Sequence, residues 1–112
     1  MTLKILCGID DIEVNGSGGF TIQKHEKLRS ILAVRKQNAV FAYVNSCPHI
    51  GSPLDLVKGR FLSKDRNHIM CSTHGALFKI ENGFCISGPC KGAYLEPVDT
   101  EIVNNKVLVS SN

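Results

Sequence analysis

Leu28-Arg29-Ser30-Ile31-Leu32-Ala33-Val34-Arg35 and Ala39-Val40-Phe41-Ala42-Tyr43-Val44 flank the short polar link Lys36-Gln37-Asn38. Both runs are rich in β-branched and apolar residues, so the segment predicts two antiparallel strands joined as a hairpin. Working outward, further short strands are expected at 3–7, 19–23, 68–71, 77–80, 83–87, 101–103 and 106–109. Asn104-Asn105 and Glu81-Asn82-Gly83 supply turns between neighbouring candidates. No segment sustains a 3.6-residue apolar period for ten or more residues, and ten Gly with four Pro punctuate the chain. The expected class is therefore all-β: a small antiparallel β barrel or sandwich. Asn15-Gly16-Ser17-Gly18-Gly19 reads as a flexible loop too short to separate two domains.

With 112 residues the chain is expected to form a single domain over 1–112. Hydrophobic residues make up 43% and charged residues 21%, a globular balance rather than a disordered one. Thirteen Lys+Arg against ten Asp+Glu leave +3, with no basic stripe, so a nucleic-acid partner is not expected. The apolar runs fall short of the roughly 20 residues that cross a bilayer as a helix, and the start lacks the pattern of a secretory signal. No membrane partner and a cytoplasmic location are therefore expected. Five cysteines, an odd number, fit metal ligation or free thiols better than a disulfide scaffold.

The chemistry concentrates in Cys47-Pro48-His49-Ile50-Gly51 and Cys71-Ser72-Thr73-His74-Gly75. Each places a thiol close to an imidazole and follows them with a glycine, which lets the backbone turn through positive φ near a bulky ligand. Pro48 stiffens the first loop before any ligand arrives. Between His49 and Cys71 lie 21 residues, enough for the chain to leave and return with the second loop beside the first.

Cys-x-His, about twenty residues, then Cys-x-x-His, resembles the Rieske iron–sulfur signature, in which two Cys bind one iron of a [2Fe-2S] cluster and two His bind the other. The likeness continues through Cys47 to Leu54, through Cys71 to Phe78, and into Gly88-Pro89, which is similar to that family's proline loop over the cluster. The resemblance implies a Rieske-like fold with two cluster-binding loops and one [2Fe-2S] cluster per chain. Cys47 and Cys71 would hold the buried iron, and His49 and His74 the iron nearer solvent. It also implies a carrier, with no catalytic residues of its own, that accepts electrons from a flavin-dependent or iron–sulfur reductase and passes them to a terminal oxygenase or other redox acceptor. High-potential members carry a Ser directly after the second Gly and a Tyr two residues on. Ala76 and Phe78 stand there, which suggests the low-potential, ferredoxin type. The high-potential members also bridge their two loops with a disulfide; Gly51 and Thr73 stand in place of its cysteines, so no such bridge is expected. A mononuclear iron domain of the kind found in hydroxylating relatives has no room in this length.

Other readings of the same residues stay open at this point. The four ligands could form a Cys₂His₂ zinc shell, although zinc knuckles usually space their ligands by two to four residues. A Cys–His nucleophile would leave one pair surplus. The fold could also serve as an accessory subunit of a larger oxidoreductase such as a nitrite reductase. His25 and His68 lack a neighbouring thiol and are expected to play no metal role. Cys7 and Cys85 read as small buried hydrophobes; Cys90, after Pro89 in the covering loop, could be an exposed thiol, with a structural role favoured over a redox one. Lys58, Arg60, Lys64, Arg66 and Lys91 form either a solvated charged face or a docking surface for an acidic redox partner.

Overall fold

A computed structural model describes residues 3–24, 27–48, 51–55, 59–72 and 75–110. Ten strands account for almost all its regular structure: β1 (Leu3–Gly8), β2 (Ser17–Lys24), β3 (Lys27–Lys36), β4 (Ala39–Val44), β5 (His68–Met70), β6 (Leu77–Lys79), β7 (Cys85–Ser87), β8 (Pro97–Val98), β9 (Thr100–Val103) and β10 (Lys106–Ser110). One 3₁₀ turn, Ile9–Asp11, is the sole helical element among the described residues. The strands form three antiparallel sheets, ordered β1-β10-β9, β2-β3-β4-β8 and β5-β6-β7. These sheets do not close into a barrel; they lie as layers.

The continuous apolar run Ile31-Leu32-Ala33-Val34 shows why. All four side chains are buried, which a strand achieves only when covered on both faces. Leu32 and Val34 point into the core shared with Ile69 and Phe78 of the β5-β6-β7 layer. Ala33 joins Cys7 and Val107 of the terminal sheet, and Ile31 joins Val109. The period-two alternation of β3 thus divides its side chains between the two faces of the sheet, and β4 repeats the division with Tyr43 on one face and Val40 and Ala42 on the other.

The hairpin turns follow their sequences. β3 and β4 pair to Lys36↔Ala39, so Gln37-Asn38 is a two-residue turn with Gln37 at φ +57°. Asn104 and Asn105 both take positive φ, 51° and 63°, as a primed turn between β9 and β10 requires. Part of the supposed loop at 15–19 is strand, because Ser17, Gly18 and Gly19 pair with Val34, Ala33 and Leu32. A Cβ on Gly19 would stand 3.3 Å from the Phe61 ring, so here the missing side chain serves close packing rather than flexibility.

Candidate metal centre

The first loop leaves β4 under the control of a buried amide. The Asn45 side-chain nitrogen donates to Asp55 Oδ1 at 3.0 Å and Ser30 Oγ at 3.2 Å, while its oxygen accepts from the Leu54 N–H at 2.8 Å. One side chain therefore ties the entrance of the loop to its exit. Within the loop, the Cys47 N–H donates to the Ser52 carbonyl at 2.8 Å and the Gly51 N–H to the Cys47 carbonyl at 2.7 Å.

The second loop leaves β5 and repeats this scheme. The Cys71 N–H donates to the Ala76 carbonyl at 2.9 Å, and the Gly75 N–H to the Cys71 carbonyl at 2.8 Å. Gly51 and Gly75 turn through nearly the same left-handed angle, φ +74° and +71°. Cys47 thus matches Cys71, Gly51 matches Gly75, and Ser52 matches Ala76. A hydrogen bond from the Ser72 N–H to the Leu54 carbonyl, 2.9 Å, ties the loops to each other.

The thiols lie at the base of this pair. Cys47 is 2% exposed and Cys71 0%, both within the core that also holds Leu54, Ala76 and Phe78. Pro48, Gly51, Gly75 and the Gly88-Pro89 segment are exposed. His49 and His74 lie outside the described residues. The donors that are described fit an iron–sulfur group: two soft thiols buried together, each followed by a glycine that lets the chain turn tightly. The Ser52 hydroxyl is moreover buried without a hydrogen-bond partner, a spare donor beside the first loop where sulfur acceptors are expected.

Gly88 rests on the second loop so closely that a Cβ there would come within 2.7 Å of the Ala76 Cα. Its φ of +101° also favours glycine. The segment from Cys85 to Ala93 loops out from a base closed by the Phe84–Tyr94 bridge, whose rings meet edge-on at 5.1 Å. Cys90 is 7% exposed rather than open, because its side chain turns beneath this cover into the core, with its Sγ 3.0 Å from that of Cys85. Burial, the bond with Cys85, and the neighbouring Cys85 and Cys47 push the Cys90 thiol up to about 12. Cys7 and Cys85 are buried as expected, and all five cysteines are free thiols.

Residues farther out divide. His68 sits half-buried in β5, paired with Lys79, and His25 lies outside the described residues. Arg60 and Arg66 line one surface depression together with Asp11 and Glu13, while Lys64 lines another with Asp65. Their positive charge is therefore interleaved with carboxylates; Lys58 lies outside the described residues. Two features escaped the sequence reading, Asn45 and Ser52. The first had a signal, since an Asn directly after a strand and before a loop commonly binds nearby backbone.

The family model for the Rieske [2Fe-2S] domain matches residues 4–106. No curated relative matches the chain in sequence. Among solved structures, it superposes on the ferredoxin of carbazole 1,9a-dioxygenase from Nocardioides aromaticivorans IC177 with TM-score 0.76 and 19% identity, covering 98% of each chain. A ferredoxin of Sphingomonas yanoikuyae B1 gives TM-score 0.76 and 21% identity over 97% of this chain and 98% of that one. A chain from a complex of reduced oxygenase and oxidized ferredoxin in carbazole 1,9a-dioxygenase gives TM-score 0.76 and 19% identity over 98% of this chain and 94% of that one. Identities this low speak to shared architecture, while the family match, spanning nearly the whole chain, speaks to membership. The chain belongs to the Rieske [2Fe-2S] domain family, and a single such cluster is the cofactor that membership implies.

Proposed function

We propose that the protein is a one-electron carrier, a single Rieske domain over 1–112, that takes electrons from a flavin-dependent or iron–sulfur reductase and delivers them to a terminal oxygenase. The observation that carries this is the pair of cysteine loops, built on one hydrogen-bonding scheme and tied to each other at Ser72 and Leu54. In this reading Cys47 and Cys71 hold one iron, and His49 and His74 hold the other. When bound, the cluster supplies one reversible electron. The chain's own residues do the rest: the buried thiols anchor the group in a dry core, Asn45 fixes the first loop, and the Gly88 segment shields the second.

Several observations support the carrier reading over a catalytic one. The similar ferredoxins span almost the same length, and one such solved structure is described as a complex of ferredoxin with an oxygenase. Ala76 and Phe78 are both buried and neither carries a hydroxyl, so hydrogen bonding to the sulfurs is limited at those positions. Five thiols without a disulfide suit a reducing, cytoplasmic compartment. No helix among the described residues is long and apolar enough to cross a membrane.

Voltammetry of the loaded protein, followed by rapid mixing of its reduced form with an oxidised oxygenase of this type, tests the proposal. We expect one reversible one-electron couple in the lower part of the range from roughly −150 to +300 mV, and loss of the reduced spectrum on mixing. Substrate oxidation by the chain alone, or no reversible couple, contradicts it.

A further inference from the structure

Four of the five cysteines share one core, and the two outside the ligand loops face each other. Cys85 Sγ and Cys90 Sγ are 3.0 Å apart, closer than two sulfurs in simple van der Waals contact. The backbone enforces the meeting. The Cys85 N–H donates to the Ala93 carbonyl at 2.8 Å, the Gly92 N–H to the Cys85 carbonyl at 3.0 Å, and the Ala93 N–H to the Cys90 carbonyl at 2.9 Å. Both ends of the Cys85–Ala93 excursion are thereby fixed, with the two thiols inside it and Gly88 pressed on Ala76 of the second loop.

We propose that Cys85 and Cys90 form a second redox centre, a dithiol that peroxide converts to a disulfide, locking the Gly88-Pro89 cover onto the second cysteine loop. Cys90, at 7% exposure, is the more accessible sulfur; Cys85, at 0%, is the resolving one. The Cys90 thiolate attacks one peroxide oxygen, the O–O bond breaks, and the departing oxygen takes a proton as water, leaving a sulfenic acid. Cys85 then attacks the Cys90 sulfur, the S–O bond breaks, and a second water leaves. In sum, two thiols and hydrogen peroxide give one disulfide and two waters, with two electrons passing from sulfur to oxygen. A dithiol reductant restores the pair by exchange.

Both thiols are buried, so the reaction waits on a local opening of the cover. Gly88 and Gly92, at φ +101° and +93°, bracket the segment that must swing. Closing the disulfide removes that freedom, so the oxidised form opens less and retains a bound cluster longer.

The test reads a mass. Tryptic cleavage after Lys79 and Lys91 releases Ile80–Lys91, which carries Cys85 and Cys90 and no other cysteine. The loaded protein is treated with hydrogen peroxide at a dose that preserves its visible absorption, quenched with a thiol alkylator in acid, and digested. We expect this peptide to appear unalkylated and lighter by two hydrogen atoms, and to take two alkyl groups when a dithiol reductant precedes alkylation. Two alkyl groups without reduction, or Cys90 oxidised to a sulfinic acid beside an alkylated Cys85, overturns the proposal.

A second measurement follows release of iron to a chelator. The oxidised protein should release it several-fold more slowly than the reduced one, and Cys85→Ser should abolish the difference. Equal release rates with the disulfide formed overturn the locking. The peptide mass does not depend on which metal the ligand loops hold, so its failure is distinguishable from failure of the carrier reading.

Discussion

Asn45 is 8% exposed and meets Ser30, Leu54 and Asp55, so its amide substitutes for backbone pairing where β4 ends. Asn45→Ala leaves the Leu54 N–H without its acceptor in a buried place, which costs about 1–3 kcal/mol. The urea midpoint should fall accordingly, and iron should leave the variant faster at unchanged starting occupancy. High-pH behaviour follows from groups elsewhere in the fold. Burial, and then Glu81, push the Tyr43 hydroxyl up to about 12; it donates to the Ile80 carbonyl at 2.6 Å. Burial, and then Asp11, push the Cys7 thiol up to about 11. Between the ordinary and the raised values the folded protein holds more protons than the unfolded chain, so stability falls as pH rises. Thermal midpoints should not yet show this loss near pH 8 and should drop between about pH 9 and 12; midpoints that rise across that window contradict the assignment. The spacing of the two motifs announced a matched pair of cysteine loops, and Cys47 and Cys71 do lie buried in one core. Asn45 carried only the general signal of an Asn between strand and loop; its three partners, Ser30, Leu54 and Asp55, come together only on folding.

At the scale of elements, the cover and the second loop depend on one glycine. Gly88→Ala forces a Cβ to within 2.7 Å of the Ala76 Cα and imposes a φ of +101° on an L-residue. The loop must then shift or the cover must lift. Cluster retention in the presence of a chelator should drop several-fold, while Gly92→Ala, with open space around its Cβ, should disturb retention far less despite a similar φ. Equal effects from the two would show that backbone strain, not the close approach, governs the cover. The same physics explains which elements could be read in advance. The hairpin of β3 and β4 and that of β9 and β10 announced themselves through apolar runs broken by short polar turns. β8, two residues beginning with Pro97, carries no pattern long enough to see. The start of β2 at Ser17 and Gly18 was hidden because the glycine-rich stretch reads as a flexible loop, although the Phe61 ring occupies the space that a side chain on Gly19 would fill.

Taken whole, the molecule packs both faces of its central sheet and gathers four of the five cysteines on one side of it. Ile31 and Ala33 serve the terminal sheet; Leu32 and Val34 serve the core of Cys47 and Cys71. The radius of gyration of 13.1 Å matches the value of about 13 Å expected for one compact domain of this length. An all-β architecture was legible because the strand signals recur throughout, but closure was not, since a barrel and stacked sheets share the same alternation. The four proposed ligands, in two loops, admit either a diiron cluster or a single zinc, and composition separates them outright. Quantification of iron, zinc and acid-labile sulfide in protein purified without oxygen is the most direct test. The account predicts two irons and two sulfides per chain, all lost in Cys47→Ser and Cys71→Ser variants; a colourless protein with one zinc and no sulfide would contradict it.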